Sequence, residues 1–104
     1  MGVDVAWVDA RHEQKQFVAD TGQCITRLSI SRWPKLSSSV CLRFIQAFSD
    51  AVFNQAQIPD LLRELRGEIA EATESRVRAH LEKVVLLVEK AEGQTHTYIK
   101  FIGD

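Results

Sequence analysis

Glu64, Glu68 and Glu71 are the residues whose type and spacing come nearest to chemistry in this chain. On a helix they fall along one flank, and neighbouring carboxylates are the groups that general acid and base catalysis employs. The same spacing describes an ordinary solvated helix face, and that is the reading the sequence favours. The three histidines, His12, His80 and His96, fall on a turn, a helix and a strand, and none has a second ligand-type residue at a metal spacing such as His-x-x-x-His. No metal or other cofactor is expected. His80 sits at the edge of an apolar helical stripe and is expected to be a boundary residue with its hydrogen bonding satisfied.

Nucleophilic catalysis needs a side chain held on a strained turn beside a base. Neither Gly-x-Ser-x-Gly nor a Cys-Gly signature occurs, and Ser37-Ser38-Ser39 reads as loop solvation. The five glycines are scattered singly, so no phosphate loop or dinucleotide fingerprint is present. Cys24 and Cys41 are too far apart for a redox pair or a zinc knuckle and sit among apolar neighbours, so both are expected to be small buried hydrophobes, with a disulfide the lesser alternative.

What remains is surface chemistry. Asp60, Glu64, Glu68 and Glu71 gather on one side of a helix whose other side carries Arg63 and Arg66, an acidic edge that would steer a basic partner. Leu86 projects opposite the stripe centred on Val77 and Val88, and with Trp33 and Phe48 in two loops it would form an apolar patch. Glu64, Glu68, Glu71, Leu86, Trp33 and Phe48 are therefore the candidate partner-binding residues. A second constellation, Arg43 with Asn54 and Gln55, or with His96 and Tyr98, would suit a small ligand held between sheet and helices.

The elements that must position these groups follow from periodicity. Val3 to Val8 alternates as a strand, Asp9 to His12 turns, and Gln14 to Asp20 returns with Phe17 and Val18 at its centre. Residues 24–30 suit a helical turn or a third strand, with a lean towards the turn, and Ser31 to Ser39, broken by Trp33-Pro34, reads as the longest loop. Val40 to Ile45 and Ala51 to Asn54 are rich in β-formers around Ser49-Asp50 and read as a hairpin with a central first strand. Pro59 and Asp60 open a helix whose stripe is Leu61, Leu62, Leu65, Ile69 and Ala72. A break is expected at Thr73 to Ser75, which offers capping hydroxyls. A second helix then runs on Val77, Leu81, Val84, Val85 and Val88 to about Lys90, and Gly93 stops it. Thr95 to Ile102 closes the chain as a strand.

This order predicts a single α+β domain over residues 1–104: an antiparallel sheet of about four or five strands, two C-terminal helices and a final C-terminal strand. A chain that is 45% hydrophobic and 26% charged can bury one such core. The 13 basic and 14 acidic residues leave no cationic excess for a nucleic acid backbone, so no nucleic acid partner is expected. The longest apolar run, Val84 to Val88, is far short of a membrane span, and Met1 to Ala6 lacks the features of a secretion or myristoylation signal. The expectation is a cytoplasmic protein without a membrane partner. In size, expected solubility and lack of motifs the chain resembles small bacterial immunity and antitoxin proteins over its whole length. That likeness implies a non-enzymatic module that binds and neutralises a partner protein. The alternatives are a small ligand-binding protein or enzyme, and a homodimer formed along an unpaired edge of the C-terminal strand.

Overall fold

The computed structural model describes residues 2–25 and 38–103. The first hairpin forms where alternation places it. Strand β1 spans Asp4–Asp9 and β2 spans Gln14–Val18, antiparallel, with Val5 opposite Val18 and Ala6 opposite Phe17. Asp9 shapes the turn: its Oδ1 accepts the N–H of Arg11 at 2.9 Å and of Glu13 at 3.0 Å, and His12 takes the left-handed conformation at φ 63°. These two N–H groups hold the Asp9 carboxyl below its ordinary titration range, that of Glu13 most of all.

Helix α1 covers Ile58–Glu71 with proline in its first turn, and α2 covers Ser75–Ala91. The break between them falls as expected, but no hydroxyl caps it: Glu74 is the N-cap residue and its side chain makes no capping bond. Gly93 supplies the left-handed stop at φ 81°. An isolated helix of 14 residues is marginal in water, so α1 owes its stability to Ile58, Leu61, Leu62 and Leu65, all buried. Each such side chain contributes about 1.5–3 kcal/mol relative to exposure.

The remaining strands complete a four-stranded antiparallel sheet in the order β2-β1-β4-β3, where β3 is Ala51–Phe53 and β4 is Thr97–Ile102. The C-terminal strand therefore lies inside the sheet, paired with β1 over Thr97–Ile102 and with β3 over Ile99, Lys100 and Phe101. Both helices pack on one face of the sheet. Val5, Phe53, Ile99 and Phe101 share a core with Leu61, Leu65, Leu81, Val84 and Val88.

The expected second hairpin is absent. Ala51–Phe53 is a strand, but its partner is β4, and Leu42–Phe44 forms a 3-10 turn. The cause is a side chain 22 to 24 residues away: the Glu64 carboxylate accepts the backbone N–H groups of Val40, Cys41 and Leu42 at 2.6, 2.9 and 3.1 Å. Donors that a strand would spend on a neighbour are spent on a carboxylate. Cys24 and Cys41 are buried thiols, as their surroundings predict. Of residues 24–30, Cys24 and Ile25 are helical, and 26–30 lie outside the described residues, as do residues 31–37 of the expected loop.

Gln55 ties the end of α2 to the start of β4. Its Nε2 donates to the carbonyls of Ala91 at 2.9 Å and Gln94 at 3.0 Å, and its Oε1 accepts the Gly93 N–H at 2.9 Å. Gln55→Ala is expected to cost about 1–2 kcal/mol, read as a lower urea midpoint at unchanged slope, because several polar groups lose a partner at once.

Candidate functional site

Two members of the expected acidic edge, Glu64 and Glu68, are turned inward, while Glu71 is exposed. Glu64 is the clasp just described, Glu68 is buried at 7% exposure rather than solvated, and Glu68 and Glu71 both have interaction partners within the fold. With Ser38, Ser39 and Gly67 these carboxylates line a cleft of about 250 Å³ between α1 and residues 38–42. Among the described residues no three ligand-type side chains are close enough to hold a metal ion. Asp60, partly exposed, pairs with Arg63 at 3.2 Å, and Arg66 pairs with Glu89 on α2. A helix edge of one sign is thereby broken up by its own counter-charges.

The Glu64 clasp also settles the chemistry of Cys41. Burial, helped by the negative charges of Glu64 and Asp60, pushes its thiol up to about 11. A thiol so poorly ionised is no nucleophile at neutral pH.

The residues of the small-molecule constellation make other contacts. The two oxygen and nitrogen ends of the Gln55 amide are consumed at the end of α2, and Asn54 Oδ1 accepts the Gln57 N–H at 3.1 Å. Arg43 lies over the Phe44 ring at 4.7 Å, whereas Tyr98 stacks on His12 at 6.4 Å between centroids. His96 stands in the turn before β4 at φ 60°.

Of the apolar candidates, Phe48 is 74% exposed in the Gln46–Ser49 turn and Leu86 is 60% exposed on α2. They belong to different elements. Trp33 lies outside the described residues.

The surface that the sequence did not single out is the sheet face turned away from the helices. Strand register places Phe17 opposite Ala6, Ala6 opposite Lys100, and Lys100 opposite Val52, one row across all four strands. Because successive side chains alternate between faces, this row belongs to the face opposite Val5, Ile99 and Phe101. Phe17 is 53% exposed and Val52 41%, and between them Ala6 is fully covered. Val8, buried, and Tyr98, partly exposed, form the neighbouring pair, and Ile102 pairs with Asp4 on the other side. Lys100, the cation in the row, is held by Asp50 at 3.6 Å. The result is an apolar, partly aromatic sheet surface with its charge neutralised at one edge. The signal was present in the alternation of Tyr98, Lys100 and Ile102 with Thr97, Ile99 and Phe101, but it needed the knowledge that both helices cover the same face.

No protein-family model, curated protein or solved structure matches the chain, so function has to be argued from this geometry. No helix among the described residues is long and apolar enough to cross a membrane.

Proposed function

We propose that the chain is a non-enzymatic protein-binding module, of the immunity or antitoxin kind, that docks a partner protein on the sheet face turned away from its helices, at the exposed Phe17 and Val52. The row Phe17, Ala6, Lys100, Val52 carries this reading. Large apolar side chains held rigidly on paired strands lose little entropy on binding, and apolar surface around a covered small residue accepts a protruding side chain. The chemistry of the face selects its occupant. A nucleic acid would require cations, and the cation in the row is already paired with Asp50. A small molecule would require concavity, and the cleft described beside Glu64, at about 250 Å³, lies below the usual range of about 300–1,000 Å³ for ligand pockets. A protein surface with an apolar centre satisfies both constraints, and neutralisation of a toxic enzyme by covering its active site is the role such a module performs in the immunity class.

The test compares immobilised wild-type chain with the Phe17→Asp, Val52→Asp double variant in extract of the cell that expresses it. Both positions are exposed, so the substitutions leave the core intact. The expected result is one protein retained in near-equal molar amount by the wild type, bound again when purified, and weakened by about tenfold or more in the double variant. Equal retention by both forms, or retention of nothing, contradicts the reading. A dimer of the chain in light scattering that the same substitutions abolish assigns the face to a second copy instead.

A further inference from the structure

We propose that His80 and Asp20 form a proton-sensitive latch that fastens the start of β1 and the segment after β2 onto helix α2. Asp20 is the centre of the device. Its side chain is fully buried, its Oδ2 accepts the Val3 N–H at 2.9 Å and its Oδ1 accepts the Ile25 N–H at 3.0 Å. Its own N–H donates to Asp4 Oδ1 at 2.9 Å. The chain passes so close here that a side chain at Gly2 would meet Asp20 Cβ and its carbonyl at 3.0 Å. One carboxylate thus gathers the first residues of β1 and the turn leading to Ile25, and both Val3 and Ile25 are core residues.

His80 closes the arrangement from α2. It is 5% exposed, its Nε2 lies 3.4 Å from Asp20 Oδ1, and that nitrogen has no hydrogen-bond partner among the described residues. This departs from the satisfied boundary histidine that the sequence suggests. A buried ring nitrogen facing a carboxylate oxygen without a hydrogen bond is a group whose environment changes sharply when it gains a proton. Among the described residues, the charged groups that act on the ring are Asp20 from the turn, Asp4 from β1 and Lys83 from its own helix, and one turn earlier Arg76 lies against Gly22. Burial acts most strongly and holds the ring below its ordinary titration range. Asp20 opposes it, Lys83 adds to it, and Asp4 opposes it weakly.

The sign follows from linkage. A histidine whose folded-state value lies below 6.5 binds fewer protons folded than exposed, so the closed latch is fully stable above that pH and weakens as pH falls through the window beneath it. States that turn His80 to water gain up to about tenfold in population for each pH unit across that window. Those states withdraw α2 from Asp20 and release the Val3 and Ile25 amides. The latch is independent of what docks on the sheet.

Amide hydrogen exchange on the intact chain between pH 7.5 and 5.5, corrected for intrinsic rates, tests it together with an NMR titration of the His80 ring. The expected result is a ring that titrates below 6.5, with Val3 and Ile25 losing protection by about threefold to tenfold per pH unit while Ile99 and Phe101 hold theirs. His80→Gln is expected to flatten the response. A ring titrating at or above 6.5, unchanged protection at Val3 and Ile25, or equal loosening of β4 overturns the proposal, and these readouts need no variant.

Discussion

Phe101→Ala is expected to lower the unfolding free energy by about 3–5 kcal/mol, the cost of emptying a fully buried aromatic site. Phe101 is 0% exposed, stands opposite Val5 on β1 and Ala51 on β3, and meets Phe53 edge-to-face at 5.7 Å. It joins the two halves of the sheet beneath both helices, so the cavity has neighbours fixed by strand pairing and collapses poorly. Against a total stability of about 5–15 kcal/mol for a domain of ordinary size, that loss removes much of the margin. Phe101→Leu keeps most of the volume and is expected to cost no more than about 1.5 kcal/mol. Urea unfolding followed by circular dichroism separates the two, and equal midpoints for both variants contradict the central position assigned to this ring.

Glu64→Ala is the second large effect, expected at about 2–4 kcal/mol. The loss comes from three backbone N–H groups, of Val40, Cys41 and Leu42, that share one carboxylate and are left without it. Glu64→Gln retains one oxygen acceptor but turns an amide N–H₂ towards backbone donors, so it recovers only part of the loss. The same pair of variants distinguishes a clasp from a steering charge. If Glu64 acts as a clasp, both lower stability while partner affinity per folded molecule is unchanged. A fall in association rate that salt abolishes, at full stability, is the signature of the steering edge that the sequence suggests.

The contrast between these two residues shows what was legible in the sequence. Both helices could be read because their apolar positions repeat at helical spacing and because Pro59 and Gly93 punctuate them. The first hairpin could be read because Asp9 to His12 is local turn chemistry. Val40 to Ile45 misled because its β-forming residues are a local signal, whereas the acceptor for its amides comes from Glu64 on α1, for which no local pattern exists. Glu68 misled because residue type predicts exposure, and its burial depends on how α1 meets residues 38–42. The sheet face turned away from the helices was hidden for a related reason. Phe17 and Val52 are neighbours in one row only after β4 inserts between β1 and β3, a pairing between chain ends that periodicity does not encode.

That row is the proposed docking site of a partner protein. Once the partner retained by the wild-type chain is purified, hydrogen exchange of the chain with and without it reads the contact directly. The expected result is added protection concentrated at Phe17, Ala6, Lys100 and Val52 and at the adjoining residues Val8 and Tyr98. Protection that maps instead to α2 around Leu86, to the Gln46–Ser49 turn, or to the cleft beside Glu64 contradicts it.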